Sequence, residues 1–283
     1  MTYSLIIPSY NEAAFLPAFL DSLVAQTLPP AYALIVDDNS TDATPEIVQA
    51  YVEKFPWLQY VRHHSKDEHA PGSKVINAFQ FGLAQAPIQT DLIGKFDADL
   101  VFPPTYFETL ANAFSNNPTL GLAGGFCYIP KGQEWVLENL TDQDHVRGAL
   151  KLYRKTAFEQ MHGLEPAMGW DTADEIKLRY FHWDIQTFPE LKVKHCKPTG
   201  ASYSAEARKK QGKAFYRLGY GLVLTCIASL KLALRKKKPF LALDYLKGYW
   251  EAANAGERQL VTPEQAAFLR RYRWAKIKSK FLK

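Results

Sequence analysis

The chain has 283 residues, 47% apolar and 22% charged, enough to bury a full α/β domain and leave an appendage. Its three cysteines, Cys127, Cys196 and Cys226, are widely spaced and match no disulfide, metal or redox pattern, which excludes a cystine-stapled scaffold and points to a reducing compartment. The net charge of +5 conceals an asymmetry: residues 206–283 hold 19 Lys+Arg against 5 Asp+Glu, while the remainder of the chain is acidic.

Residues 3–8 read as a buried strand running directly into Ser9-Tyr10-Asn11-Glu12. Phe15, Leu16, Phe19, Leu20, Leu23 and Val24 then recur at spacings of three and four, the signature of an amphipathic helix, with Asn11 its expected cap. A second unit repeats the plan. Residues 32–36 form a strand ending in Asp37-Asp38-Asn39-Ser40-Thr41-Asp42, and Thr44-Pro45 reads as a cap and first-turn proline. Ile47, Val48, Tyr51 and Val52 carry that helix's apolar stripe. A strand over 58–61, a helix over 74–84 and a strand over 92–96 follow. Such alternation predicts a parallel sheet with helices on its faces and a ligand beyond the carboxyl ends of the strands. Three of the four strand ends carry polar clusters: Ser9 to Glu12, Asp37 to Asp42, and Asp97 with Asp99.

On extended backbone Asp97 and Asp99 point to one side, and like charges so close repel unless a cation or hydrogen-bond donors hold them. A divalent ion is the simplest such cation, and hard oxygen ligands favour Mg²⁺ or Mn²⁺. An ordinary turn at a strand end is the competing reading. Gly72-Ser73-Lys74 opens a helix where free N–H groups and the Lys74 cation suit an anion, although the P-loop spacing is absent. His63, His64 and His69 with Asp67 and Glu68 read as a solvated loop. Farther on, strands are expected over 121–126, with close backbone approach at its glycines, and over 151–156. A helix over 172–183 has Asp171 at its N-cap, with Asp174 and Glu175 along one face. His195 ends a strand-like run.

The segments Ile6-Ile7-Pro8-Ser9-Tyr10-Asn11-Glu12, Val36-Asp37-Asp38-Asn39-Ser40-Thr41-Asp42 and Phe96-Asp97-Ala98-Asp99 resemble, in order and spacing, the three successive signatures of family 2 glycosyltransferases. The resemblance covers residues 3–200 and is weaker in the middle. It implies an α/β GT-A fold, a Rossmann-like and mostly parallel sheet flanked by helices, followed here by a C-terminal helical appendage. It implies a nucleotide-sugar donor, UDP-linked by default, and an Mg²⁺ or Mn²⁺ ion. Pro8, Tyr10, Asn11 and Glu12 then become candidates for base and ribose, Asp38 for uracil or ribose, Lys74 for the diphosphate, and Asp97 for ribose and diphosphate. Asp99 matches the metal-binding aspartate, with Asp97 beside it and His195 as a late metal ligand. Inverting members place a general base at the start of a late helix, which points to Asp171. Because Trp170-Asp171 replaces the usual Glu-Asp pair and the alignment needs one inserted residue, Asp174 and Glu175 remain alternatives.

Two units are expected: a catalytic domain over 1–205 and a basic, amphipathic helical region over 206–283. Residues 215–234 are largely apolar yet contain Arg217 and Lys231, and Arg235-Lys236-Lys237-Lys238 follows. Two internal cations disfavour a membrane span. The aromatic-rich pattern from Phe240 to Trp250 suits a bilayer interface instead, or packing on the domain. No basic, apolar leader is visible at Met1 to Ile7, so the expected location is cytoplasmic, peripheral on the inner face of the membrane. The expected acceptor is a glycan or lipid-linked molecule of the cell envelope, and the expected surface is anionic. No nucleic-acid reader motif is present. A nucleotidyltransferase and a dinucleotide oxidoreductase lack their glycine-rich loops after the first strand. A noncatalytic sugar-nucleotide-binding protein is the remaining alternative.

Overall fold

The computed structural model describes residues 1–65, 72–138, 142–197 and 205–281. Asp67, Glu68 and His69 of the histidine-rich loop and the expected domain boundary near 205 lie at or outside the limits of these segments. Two compact units are present: residues 1–166 with 181–199, and residues 167–180 with 200–283.

The first unit is built on a sheet. All seven residues of β1 (Tyr3–Ser9) are buried, as a strand covered on both faces requires. It pairs in parallel with β2 (Tyr32–Asp37) and β4 (Leu92–Phe96), and β2 pairs in parallel with β3 (Leu58–Arg62). Helices α1 (Leu16–Val24), α2 (Thr44–Val52) and α3 (Ser73–Gln85) connect these strands. Then come β5 (Leu100–Val101), α4 (Tyr106–Asn116), β6 (Leu120–Lys131), β7 (Glu134–Leu137), β8 (Leu150–Arg154), α5 (Lys155–Gln160) and β9 (Asp184–His195). The strand order is β3-β2-β1-β4-β8-β6-β9-β5, with β7 on β6. The parallel sheet read from the first hundred residues holds for β3-β2-β1-β4. Beyond it the directions mix, because β8 returns antiparallel to both β4 and β6, and β5 runs antiparallel to β9. The close approach expected at residues 121–126 is real: a Cβ on Gly125 would stand 2.3 Å from the Leu191 carbonyl oxygen.

Two helix starts differ from expectation. Asn11 does not cap α1; Phe15 and Leu16 donate to the Glu12 carbonyl first, so a turn over 12–15 precedes the helix. Asn11 instead sits at φ 52, a left-handed conformation that asparagine tolerates, with its side chain committed to the neighbouring loop. Thr44 lies inside the first turn of α2 rather than capping it, because its hydroxyl accepts the Glu12 N–H at 2.9 Å.

The second unit is helical: α6 (Trp170–Tyr180), α7 (Ala205–Arg217), α8 (Gly221–Arg235), α9 (Leu241–Asn254) and α10 (Pro263–Phe281). Ala173 and Ile176 of α6 share its core with Phe215, Leu218, Leu224 and Leu269. Helices α7 and α9 touch backbone to backbone, since a Cβ on Gly212 would lie 1.8 Å from the Tyr245 carbonyl oxygen and one on Gly248 would lie 2.1 Å from that of Lys209. The apolar run over 215–234 is not one helix. Gly219 and Gly221, both at φ 71, break it between α7 and α8. Among the described residues no helix is long and apolar enough to cross a membrane.

Candidate active site

The site grows from the end of β4. Phe96 precedes the Asp97–Asp99 turn and Phe102 follows it, and their rings meet edge to face at 5.5 Å between centroids. Tyr106 and Phe107 pack against both rings, so the turn is pinned at each end by the aromatic core. Residues 97–99 are therefore a turn and not the extended segment expected, because the chain reverses here to enter β5. The two carboxylates converge all the same. Asp99 is 5% exposed, whereas the Asp97 side chain is about one-third exposed, at 34%. The buried Lys95 ammonium forms an ion pair with Asp97 and donates to the Gly148 carbonyl at 3.1 Å.

Register brings the third member. Leu100 of β5 pairs with His195, the last residue of β9, and the Cys196 N–H donates to the Asp99 carbonyl at 2.9 Å. His195 Nε2 lies 3.4 Å from Asp99 Oδ2, and its Nδ1 lies 3.5 Å from Glu138 Oε2, which is itself 3.0 Å from the Arg147 guanidinium. Burial disfavours the charged imidazole, but hydrogen bonding to Asp99, Cys127 and Glu138 outweighs it and pushes the His195 pKa up to about 12. A metal ion bound here would displace that proton, because only the neutral imidazole has a lone pair to give. Asp97, Asp99 and His195 each present one ligand atom, all within 4.8 Å of one another. Two carboxylate oxygens and an imidazole nitrogen suit a hard divalent ion such as Mg²⁺ or Mn²⁺. Cys127, Glu138 and His195 form a second, wholly buried trio around the same imidazole.

The loops after β1 and β2 are laced together. Asn11 accepts the Thr41 N–H at 2.8 Å and donates its own N–H to the Ser40 hydroxyl at 2.9 Å. Asp37 is fully buried and engaged within its own loop, accepting from Ser40 N–H and the Tyr60 hydroxyl. Asp38 lies 2.9 Å from His63 Nδ1, so this histidine is not simply solvated as the sequence suggested. Pro8 is enclosed in β1 opposite Val36. Tyr10 is exposed, and the Lys74 ammonium sits 5.4 Å from its ring centroid, bringing two predicted donor contacts together. Glu12 pairs with Lys197 at 2.6 Å; burial pushes its carboxyl up to about 7 against the pull of Lys197, with Asp99 and Asp97 adding to the rise.

Asp171, Asp174 and Glu175 belong to the second unit. Helix α6 begins at Trp170, two residues earlier than expected, because Thr172 and Ala173 both donate to the carbonyl of Gly169, which sits at φ 92. Asp171 accordingly occupies the first turn and not the N-cap. Asp174 and Glu175 are buried, and Asp174 Oδ1 accepts the Glu175 N–H.

The first unit's site also contains residues that the sequence reading passed over: Lys95, Cys127, Glu138, Arg147 and Lys197. None carries a local signature. Only His63 was reachable, since parallel β2 and β3 in register pair Asp37 with Arg62 and so set the residues after them side by side.

Comparison with known proteins gives a family and a fold. Residues 4–164 match the family described as glycosyl transferase family 2. The β-monoglucosyldiacylglycerol synthase of Synechocystis is 29% identical over 202 residues, covering 64% of this chain and 41% of that one. The chain spans about half the length of the curated relatives it matches. Among solved structures, GalNAc-T7 with UDP, GalNAc and Mn²⁺ superposes at a TM-score of 0.62 with 14% identity, covering 82% of this chain and 50% of the other. The mannosyltransferase PcManGT of Pyrobaculum calidifontis, in complex with GDP-Man and Mn²⁺, superposes at 0.57 with 19% identity, covering 97% and 80%. At these identities the likeness shows the fold, which is GT-A.

Proposed function

The chain belongs to glycosyl transferase family 2, and from that premise we propose an inverting, metal-dependent transfer of a sugar from a UDP-sugar to a hydroxyl on a glycan or lipid-linked acceptor of the cell envelope, at the inner face of a membrane. The observation that carries this reading is the convergence of Asp97, Asp99 and His195 within 4.8 Å beyond the end of β4. Those three residues would hold an Mg²⁺ or Mn²⁺ ion, which would supply positive charge beside the leaving diphosphate. Tyr10 stacks on the base, and Lys74 beside it meets the diphosphate. Asp38, held by His63, accepts from the uracil or ribose. Asn11 and Glu12 fix the loop that carries Tyr10, and Asp97 faces the ribose and diphosphate.

Asp171 takes the proton of the acceptor hydroxyl as its oxygen bonds to the anomeric carbon, and the bond from that carbon to the diphosphate oxygen breaks on the opposite face. Configuration therefore inverts, and the nucleoside diphosphate leaves with the electron pair. Asp174 and Glu175 stand as the alternative bases on the same helix. The name of the Synechocystis relative supports a lipid-borne acceptor. Incubating the chain with a panel of UDP- and GDP-sugars, with and without Mn²⁺, tests the reading. Mn²⁺-dependent release of UDP and a product of inverted anomeric configuration by NMR are expected; a product of retained configuration overturns the mechanism.

A further inference from the structure

The exposed apolar surface is concentrated in one hairpin. Eight of the fourteen large apolar side chains that stand exposed among the described residues lie between Leu222 and Trp250. On α8 Val223, Ile227, Leu230 and Leu234 follow a spacing of four, three and four that places them on one face, with Leu222 exposed in the first turn. Phe240 in the following turn is 60% exposed, and Leu243 and Trp250 on α9 are 70% and 52% exposed. The opposite, buried face of α8 is Leu224, Thr225, Ser229 and Ala233. A helix that merely packs on its own domain turns its polar side outward. Helix α8 buries two hydroxyls beside Leu224 and Ala233 and turns a stripe of one valine, one isoleucine and two leucines outward. An outward patch of this extent on a monomer marks a docking surface.

Its rim is cationic. Lys231, Arg235, Lys237, Lys238 and Lys247 are exposed on or beside the same two helices, and residues 221–250 contain Asp244 as their one acid. Helix α8 has 15 residues, too short to span a bilayer, so the hairpin can lie along a surface but not cross it. A second copy of this chain is a poor occupant, because a two-fold interface sets each patch against itself and would face lysines with lysines. Anionic headgroups match the rim, and acyl chains match the face.

We infer that the outward face of the α8–α9 hairpin is the docking surface for an anionic bilayer, with Leu230, Leu234, Leu243 and Trp250 inserted below the headgroups and the lysine cluster over 236–238 among them. The inference rests on the proposed inner-face location and names the surface responsible. The test is flotation of the full chain with vesicles of phosphatidylglycerol and phosphatidylcholine, against vesicles of phosphatidylcholine alone, at low and high salt. Flotation with the anionic vesicles, weakened by salt, is expected. Replacing Leu230→Glu, Leu234→Glu and Leu243→Glu together weakens binding about tenfold for each leucine. The exposed pair Lys237→Glu and Lys238→Glu, which leaves the helices untouched, weakens it about fivefold for each cation removed. Melting temperature and the thermal shift induced by UDP with Mn²⁺ are to be unchanged in both variants. Absence of that shift would count against the donor reading, separately from lipid binding. No flotation, equal flotation on neutral vesicles, or undiminished binding of the leucine variant overturns the inference; a concentration-dependent dimer that the leucine variant abolishes would assign the face to a second copy.

Discussion

The loops at the carboxyl ends of β1, β2 and β4 and the α8–α9 hairpin handle polarity in opposite ways. In the loops polar side chains are drawn inward and held: Asp37, Asp38, Asp99 and His195 are all buried, and each has a named partner within the first unit. In the hairpin Thr225 and Ser229 face inward with Leu224, while Val223, Ile227, Leu230 and Leu234 face water. Burying charge is costly unless it is paired, and in the loops each of these buried groups is. Exposing leucines is costly unless something covers them, which is the ground for the bilayer-docking proposal. On the two proposals made above, one region serves chemistry and the other adhesion.

The sharpest way to separate them is to remove the charge-binding function alone. Asp99→Ala is expected to lower transfer by about 10³-fold, as loss of a charge-stabilising group at a reacting centre does, while vesicle flotation stays intact. Turnover with saturating Mn²⁺ and flotation of the same preparation check this, and retained turnover would break the assignment of Asp99 to the metal. Asp171→Asn is expected to cost about 10²- to 10⁴-fold in turnover with unchanged UDP affinity, read by titration calorimetry. If affinity falls in parallel, or if Glu175→Gln has the larger effect, the base lies elsewhere on α6.

Glu138→Gln reaches the site through His195, 3.5 Å away, and so is a positioning change. It is expected to weaken Mn²⁺ binding about 10- to 100-fold with turnover restored at saturating Mn²⁺. Mn²⁺ titration followed by electron paramagnetic resonance distinguishes this from a merely structural loss, which excess metal would not rescue. Tyr10→Ala should reduce UDP affinity about tenfold, the scale of one lost stacking contact, and leave Mn²⁺ binding alone. The smallest effect lies in the hairpin. Ser229 Oγ is buried with no hydrogen-bond partner among the described residues, so Ser229→Ala should stabilise the chain by about 1 kcal/mol and raise its melting temperature, with flotation unchanged. A drop in melting temperature would mean that the hydroxyl is satisfied after all.

Local sequence determined a good deal. The alternation of apolar runs and helical stripes is legible from Tyr3 to Phe96, because periodicity is a property of consecutive residues and survives into β1 to β4 and α1 to α3 with ends shifted by a residue or two, except at the start of α1, which lies four residues later than the Asn11 cap implied. The three acidic motifs are legible for the same reason, since each lies where an apolar strand runs out. What tertiary structure alone decided is everything that depends on register between distant segments. Glu138, itself paired with Arg147, reaches His195 only because β6 aligns with both β7, which ends at Leu137, and β9, and no pattern near Glu138 announces it. The inverted face of α8 was equally hidden. Composition shows an apolar, basic segment, but which of its stripes points inward depends on what α7, α9 and α10 offer to pack against, and that is settled by contacts between residues far apart in the chain.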